Sequence, residues 1–166
     1  MAKSAAFPWV YDLLDRNWAC GPGELVFSVS IFDHFLAEDE SVACDLFTID
    51  QAREGGHLAE YLVGEARFLE LYRRLARRGV SRVLRSGRLA PLVPDSRRFG
   101  EILVSSLRER RSLRRQRFMD IYFHGYGLRV FGNWDRTDIW LCRDEAHLAE
   151  LRTAIADVGL FELTWR

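Results

Sequence analysis

The chain of 166 residues predicts an α+β domain, a mainly antiparallel sheet of about six strands packed against about four helices. Three observations predict it. Residues 57–79 repeat apolar side chains at i, i+3, i+4 and i+7, the period of a helix with one buried face. Residues 119–142 hold three short β-rich runs divided by turn residues, the pattern of a meander. Finally, 48% hydrophobic residues, without a repeat or a low-complexity linker, suit a single core spanning residues 1–166.

Taken in order, FPWVYDLLDRNWA (7–19) reads as a first helix, with Pro8 near its start and Val10, Leu13, Leu14 and Trp18 on one side. Gly21, Pro22 and Gly23 stop it. ELVFSVSIFDHFL (24–36) alternates partly and is rich in β-formers, and SVACDLFTI (41–49) reads as its antiparallel partner. The connection AEDE (37–40) then sets Glu38, Asp39 and Glu40 at an exposed hairpin tip.

The next helix carries Leu58, Tyr61, Leu62, Phe68, Leu69, Tyr72, Leu75 and Ala76 in one stripe, Glu65 in phase with it, and Gly79 at the C-cap. SRVLRSG (81–87) reads as a shorter continuing helix, and Gly87, Pro91 and Pro94 make 87–95 a connection. Asp95 or Ser96 caps a helix from about 97 to about 115, whose stripe Phe99, Leu103, Leu107 runs into Arg110, Arg111 and Arg114. MDIYF, GLRVFGN and DIWLC form the meander. Asp144 caps a last helix ending at Gly159, and LFELTW closes the sheet.

Charge is strongly segmented. Residues 1–66 hold 12 acidic and 3 basic side chains, 67–118 hold 4 and 16, and 119–166 hold 8 and 5, giving −9, +12 and −3. The expectation is a positive middle answered from within the fold, leaving the loops of the negative flank to meet a partner. Of 24 basic residues only Lys3 is lysine, a bias pointing to a GC-rich bacterial source.

The start MAKSAAFPWVYDLLDR meets Asp12 before an apolar run of signal-peptide length develops, and no stretch reaches the roughly 18 apolar residues of a membrane span. Cys20, Cys44 and Cys142 are odd in number and lack zinc or redox spacing. A cytoplasmic protein with reduced thiols, no metal and no cofactor is expected.

Three function classes follow. The leading one is a non-catalytic module that binds a protein through Glu38, Asp39 and Glu40 and through Tyr126, Trp134 and Asp135 on turns, aromatic anchors ringed by charge. In size, compartment and charge style such a chain resembles bacterial immunity proteins, which cover a toxin's active site; that likeness implies toxin neutralisation and assigns no residue a role. The second is nucleic-acid binding through Arg108, Arg110, Arg111, Arg114, Arg115 and Arg117. The third is a small enzyme using His34 or His124 with a nearby carboxylate. Against it, GYG (125–127) lacks the length and lysine of a phosphate loop, GxSxG is missing, and Asp33 and His34, as strand neighbours, would point to opposite faces.

Overall fold

The structure, a computed structural model, describes residues 24–84, 86–108, 119–133 and 135–164. These form an α+β domain with seven strands and five helices among the described residues. The expected helix over 7–19 lies outside them.

Strand β1 (Leu25–Ser30) is shorter than its β-rich stretch, because at Ile31 the chain bends away. Residues 38–49, expected as a hairpin tip and a second strand, instead build two short helices, α1 (Glu38–Ala43) and α2 (Ile49–Glu54). The reason is local. Three acidic residues fill the first turn of α1, where the helix dipole favours them, and Glu40 reaches back to accept the Ala37 N–H at 2.8 Å. Thr48 caps α2 by accepting the Gln51 N–H at 3.2 Å. Helix α3 (Leu58–Ala76) follows the predicted stripe, burying Tyr61, Phe68, Tyr72, Leu75 and Ala76 to 1% exposure or less.

Residues 80–92, expected as helix and connection, form strands β2 (Val80–Val83) and β3 (Leu89–Leu92). Pro91 is tolerated because β3 is an edge strand with one side needing no ladder donor. Helix α4 (Arg97–Arg108) is capped by Ser96, whose Oγ accepts the Phe99 N–H at 3.2 Å. Replacing Ser96 with Ala removes that acceptor, so unfolding should become easier by about 1 kcal/mol, read as a lower denaturant midpoint. The meander is β4 (Asp120–Phe123), β5 (Leu128–Phe131) and β6 (Thr137–Cys142), followed by α5 (Leu148–Asp157) and β7 (Phe161–Leu163).

The strands lie in the order β3-β2-β4-β5-β6-β1-β7, every neighbour antiparallel. Register puts Phe27, Val130, Trp140 and Ile121 on one face, where Phe68, Leu71 and Tyr72 of α3, Phe99 and Leu103 of α4, and Leu151 and Ile155 of α5 complete the main core. Phe131, Ile139 and Leu141 make a smaller cluster on the other face with Val26. The excursion from Ile31 to α3 thus leaves the sheet next to the start of β6 and runs mostly at the surface.

Candidate functional site

Residues 31–60 carry eight carboxylates and one arginine. Asp33, Glu38, Asp39, Glu40, Asp45, Glu54 and Glu60 are exposed, and Asp50 is half-buried. Short helices joined by bends cannot bury charged side chains and have no need to, so the segment becomes an acidic lobe. Its carboxylates meet Arg53, at 3.2 Å from Asp50, and the histidines His34 and His57. Arg53 is the one arginine that pairs with them among the described residues.

Because the chain bends after Ser30, Asp33 and His34 pair after all: Nδ1 lies 2.6 Å from the Asp33 carboxylate and Nε2 lies 3.2 Å from Glu40. Hydrogen bonds accepted by the Asp33 carboxylate, then by that of Glu40, raise the His34 pKa; the Ala37 N–H and His34 lower that of Glu40. This exposed clasp ties the bend to the start of α1. It has the contacts of a structural bridge, with Glu40 held in turn by the Ala37 N–H.

Beneath the lobe, Phe32, Phe35, Leu36, Ser41, Phe47, Asp135 and Thr137 line a pocket of about 120 Å³. Phe32 and Phe47 meet edge to face at 6.2 Å. Asp135 accepts the Thr137 N–H at 3.0 Å, and burial pushes its carboxyl up to about 6. So Asp135 joins the acidic lobe spatially, a link that the 87 residues between Phe47 and Asp135 hide from any local motif.

The other expected anchors are not brought there. Tyr126 is 5% exposed rather than standing out from a turn: His124–Tyr126 form a 3-10 turn that folds the ring inward. Its hydroxyl donates to Glu150 at 3.2 Å and the Arg78 guanidinium sits 4.8 Å from its ring centre. Trp134 lies outside the described residues. His124 is 2.8 Å from the buried Ser81 hydroxyl and edge-on to Tyr122. Neither His34 nor His124 lines the pocket.

The basic middle is answered only in part. Glu65, the polar residue in phase with the α3 stripe, is 4% exposed and holds Arg108 by two bonds of 2.5 and 2.6 Å. Arg74 pairs with Glu70 and Asp157, Arg78 with Glu150, and Arg97 with Glu101. Arg73, Arg77, Arg88 and Arg98 are exposed. This corrects the expectation that every arginine would find an internal answer: eight of the twelve carboxylates of the first 66 residues lie in the lobe, where Arg53 is the arginine they meet among the described residues. Arg110, Arg111, Arg114, Arg115 and Arg117 lie outside the described residues.

Sequence reasoning missed a buried charged set between α3 and β6. Asp138 is 1% exposed, accepts the Tyr72 hydroxyl and takes the Asn133 N–H at 3.0 Å; burial first of all raises its carboxyl to about 7. Arg136, also 1% exposed, stacks over the Tyr61 ring at 4.1 Å with its Nε and Nη1 unpaired. Gly64 admits it, since a Cβ there would come 3.0 Å from Nη2. The conjunction of D-R-T-D at a strand start with a tyrosine on a core stripe was the available signal.

Among the described residues, no group of three or more His, Cys, Asp or Glu side chains could hold a metal ion, and no helix is long and apolar enough to cross a membrane. No family model matches the chain, no curated protein matches its sequence and no solved structure matches its fold.

Proposed function

We propose that the protein is a non-catalytic binding module whose acidic lobe, residues 31–60, docks on a basic protein surface. The carrying observation is that this lobe holds eight carboxylates against a single arginine, while Arg74, Arg78 and Arg108 of the middle pair elsewhere. A surface of net negative charge speeds encounter with a positive partner and rejects negative ones. Exposed Phe35 and Val42 lie within the lobe and add apolar area to its charge. A bacterial toxin whose own target is nucleic acid has the required basic surface, and neutralising it in the cytoplasm is the role that fits this charge pattern. Here Glu38, Asp39 and Glu40 act as contact residues, joined by Asp135; buried Tyr126 takes no part.

Glu38→Lys with Asp39→Lys tests the surface, because both side chains are exposed and accept no cap hydrogen bond, and Glu38→Gln with Asp39→Asn, which sets no cation at the helix start, should act in the same direction. Tagged wild type recovered from its own cell should retain a basic protein that the double variant loses. Equal retention by the two would remove the lobe from the interface. The competing reading, nucleic-acid binding by the arginine-rich stretch, predicts instead that both forms carry nucleic acid at low salt and release it steeply as salt rises.

A further inference from the structure

We propose that the pocket beneath the acidic lobe is an anchor site for one arginine side chain of the partner protein. This rests on the docking reading above and names what the lobe grips. Three features of the pocket point the same way. Phe32, Phe35 and Phe47 supply aromatic surface, on which a guanidinium plane stacks; Leu36 supplies an apolar wall for the methylene stem. Asp135 supplies a carboxylate, one of whose oxygens is fixed by the Thr137 N–H.

The carboxylate is also poorly hydrated. Burial holds Asp135 at about 6, so at neutral pH it is ionised at a cost that an incoming guanidinium would offset with charge-assisted hydrogen bonds. Size agrees: about 120 Å³ accommodates one side chain, whereas sites for drug-sized ligands and cofactors run from roughly 300 Å³ upward. Charge selects the sign. Asp135 lines the pocket, and the surrounding lobe of eight carboxylates and one arginine gives a field that draws in a cation and repels an anion.

Arginine is favoured over lysine because its flat, weakly hydrated head can stack and fork at once, where an ammonium acts as a point charge. A buried arginine in a central pocket is also what interface hot spots commonly contain.

The probe is acetyl-arginine amide, titrated into the isotopically labelled protein and followed through backbone amide shifts, with acetyl-citrulline amide as the uncharged match. Saturable shifts at Ser41, Phe47 and Thr137 with the arginine probe, and none with citrulline, are expected. Asp135→Asn keeps an acceptor for the Thr137 N–H and should weaken the probe at least tenfold; Ser41→Phe, which fills the pocket without altering charge, should do the same. Equal shifts from both probes, or arginine shifts unaffected by the two variants, would overturn the anchor. The captured partner separates this idea from the docking reading. Loss of the complex on Glu38→Lys with Asp39→Lys, but not on Asp135→Asn or Ser41→Phe, would sink the pocket and leave the lobe. Probe binding in the pocket without any partner dependent on the lobe would do the reverse.

Discussion

Replacing Arg129 with Met should destabilise the protein by about 3–5 kcal/mol at neutral pH, the range for breaking a buried ion pair. The Arg129 side chain is 3% exposed and Asp120 19%, joined by two hydrogen bonds of 2.9 Å across β5 and β4. The guanidinium also stacks 4.3 Å from the Phe131 ring centre, so methionine keeps the packing and removes the charge. What remains is a desolvated carboxylate. Burial raises the Asp120 pKa even beside Arg129, so without its partner Asp120 takes up a proton more readily and the defect should shrink as pH is lowered. Adding Asp120→Asn to Arg129→Met should recover much of the loss. Denaturant unfolding of the three variants at two pH values measures this; a loss under about 1 kcal/mol for the single variant would mean the pair contributes no more than a surface one.

Asp138 sets the second large effect. Its carboxyl sits at about 7 in the fold against 3.8 ordinarily, so between those values the folded state holds a proton that the unfolded chain has released. Stability from this group is therefore fully present below the ordinary value and is lost as pH rises through 7, by about 4 kcal/mol over the whole span. Asp138→Asn keeps an acceptor for the Asn133 N–H and a polar partner for Tyr72, whose hydroxyl can accept as well as donate. The difference between wild-type and variant unfolding free energies, measured from acid to alkaline pH, should swing towards the variant as pH rises. Parallel curves would show that Asp138 does not titrate as its burial implies.

The helix and meander were legible because their periods are long or repeated. In α3, Tyr61, Phe68 and Tyr72 recur on one side, and the single polar residue in that phase, Glu65, proved to be the buried partner of Arg108. Leu62 was placed in the same stripe yet is 39% exposed, since it lies on the flank that the sheet does not cover. Short elements were harder. Val42, Phe47, Thr48 and Ile49 have strand propensity, and over nine residues that outweighed two helix signals: acidic residues at 38–40 and Thr48 three positions before Gln51. The strand β3 was hidden by Pro91, which reads as a break unless the edge position is known.

Of the candidate site, the acidic residues were visible as composition, whereas the pocket was not. Its walls come from residues 32–47 and its carboxylate from Asp135, and only the pairing of β1 with β6 brings these together. As strand neighbours Asp33 and His34 would face opposite ways; they pair because β1 ends at Ser30 and the chain bends before them.

The lobe's role is to steer and hold a basic partner, and the most direct measurement is the association rate constant of the captured partner with wild type and with the Glu38→Lys, Asp39→Lys variant, across a range of salt. At low salt the variant should associate about tenfold or more slowly, and the two rates should converge as salt screens the lobe. Equal rates at low salt, with the same salt dependence, would contradict it.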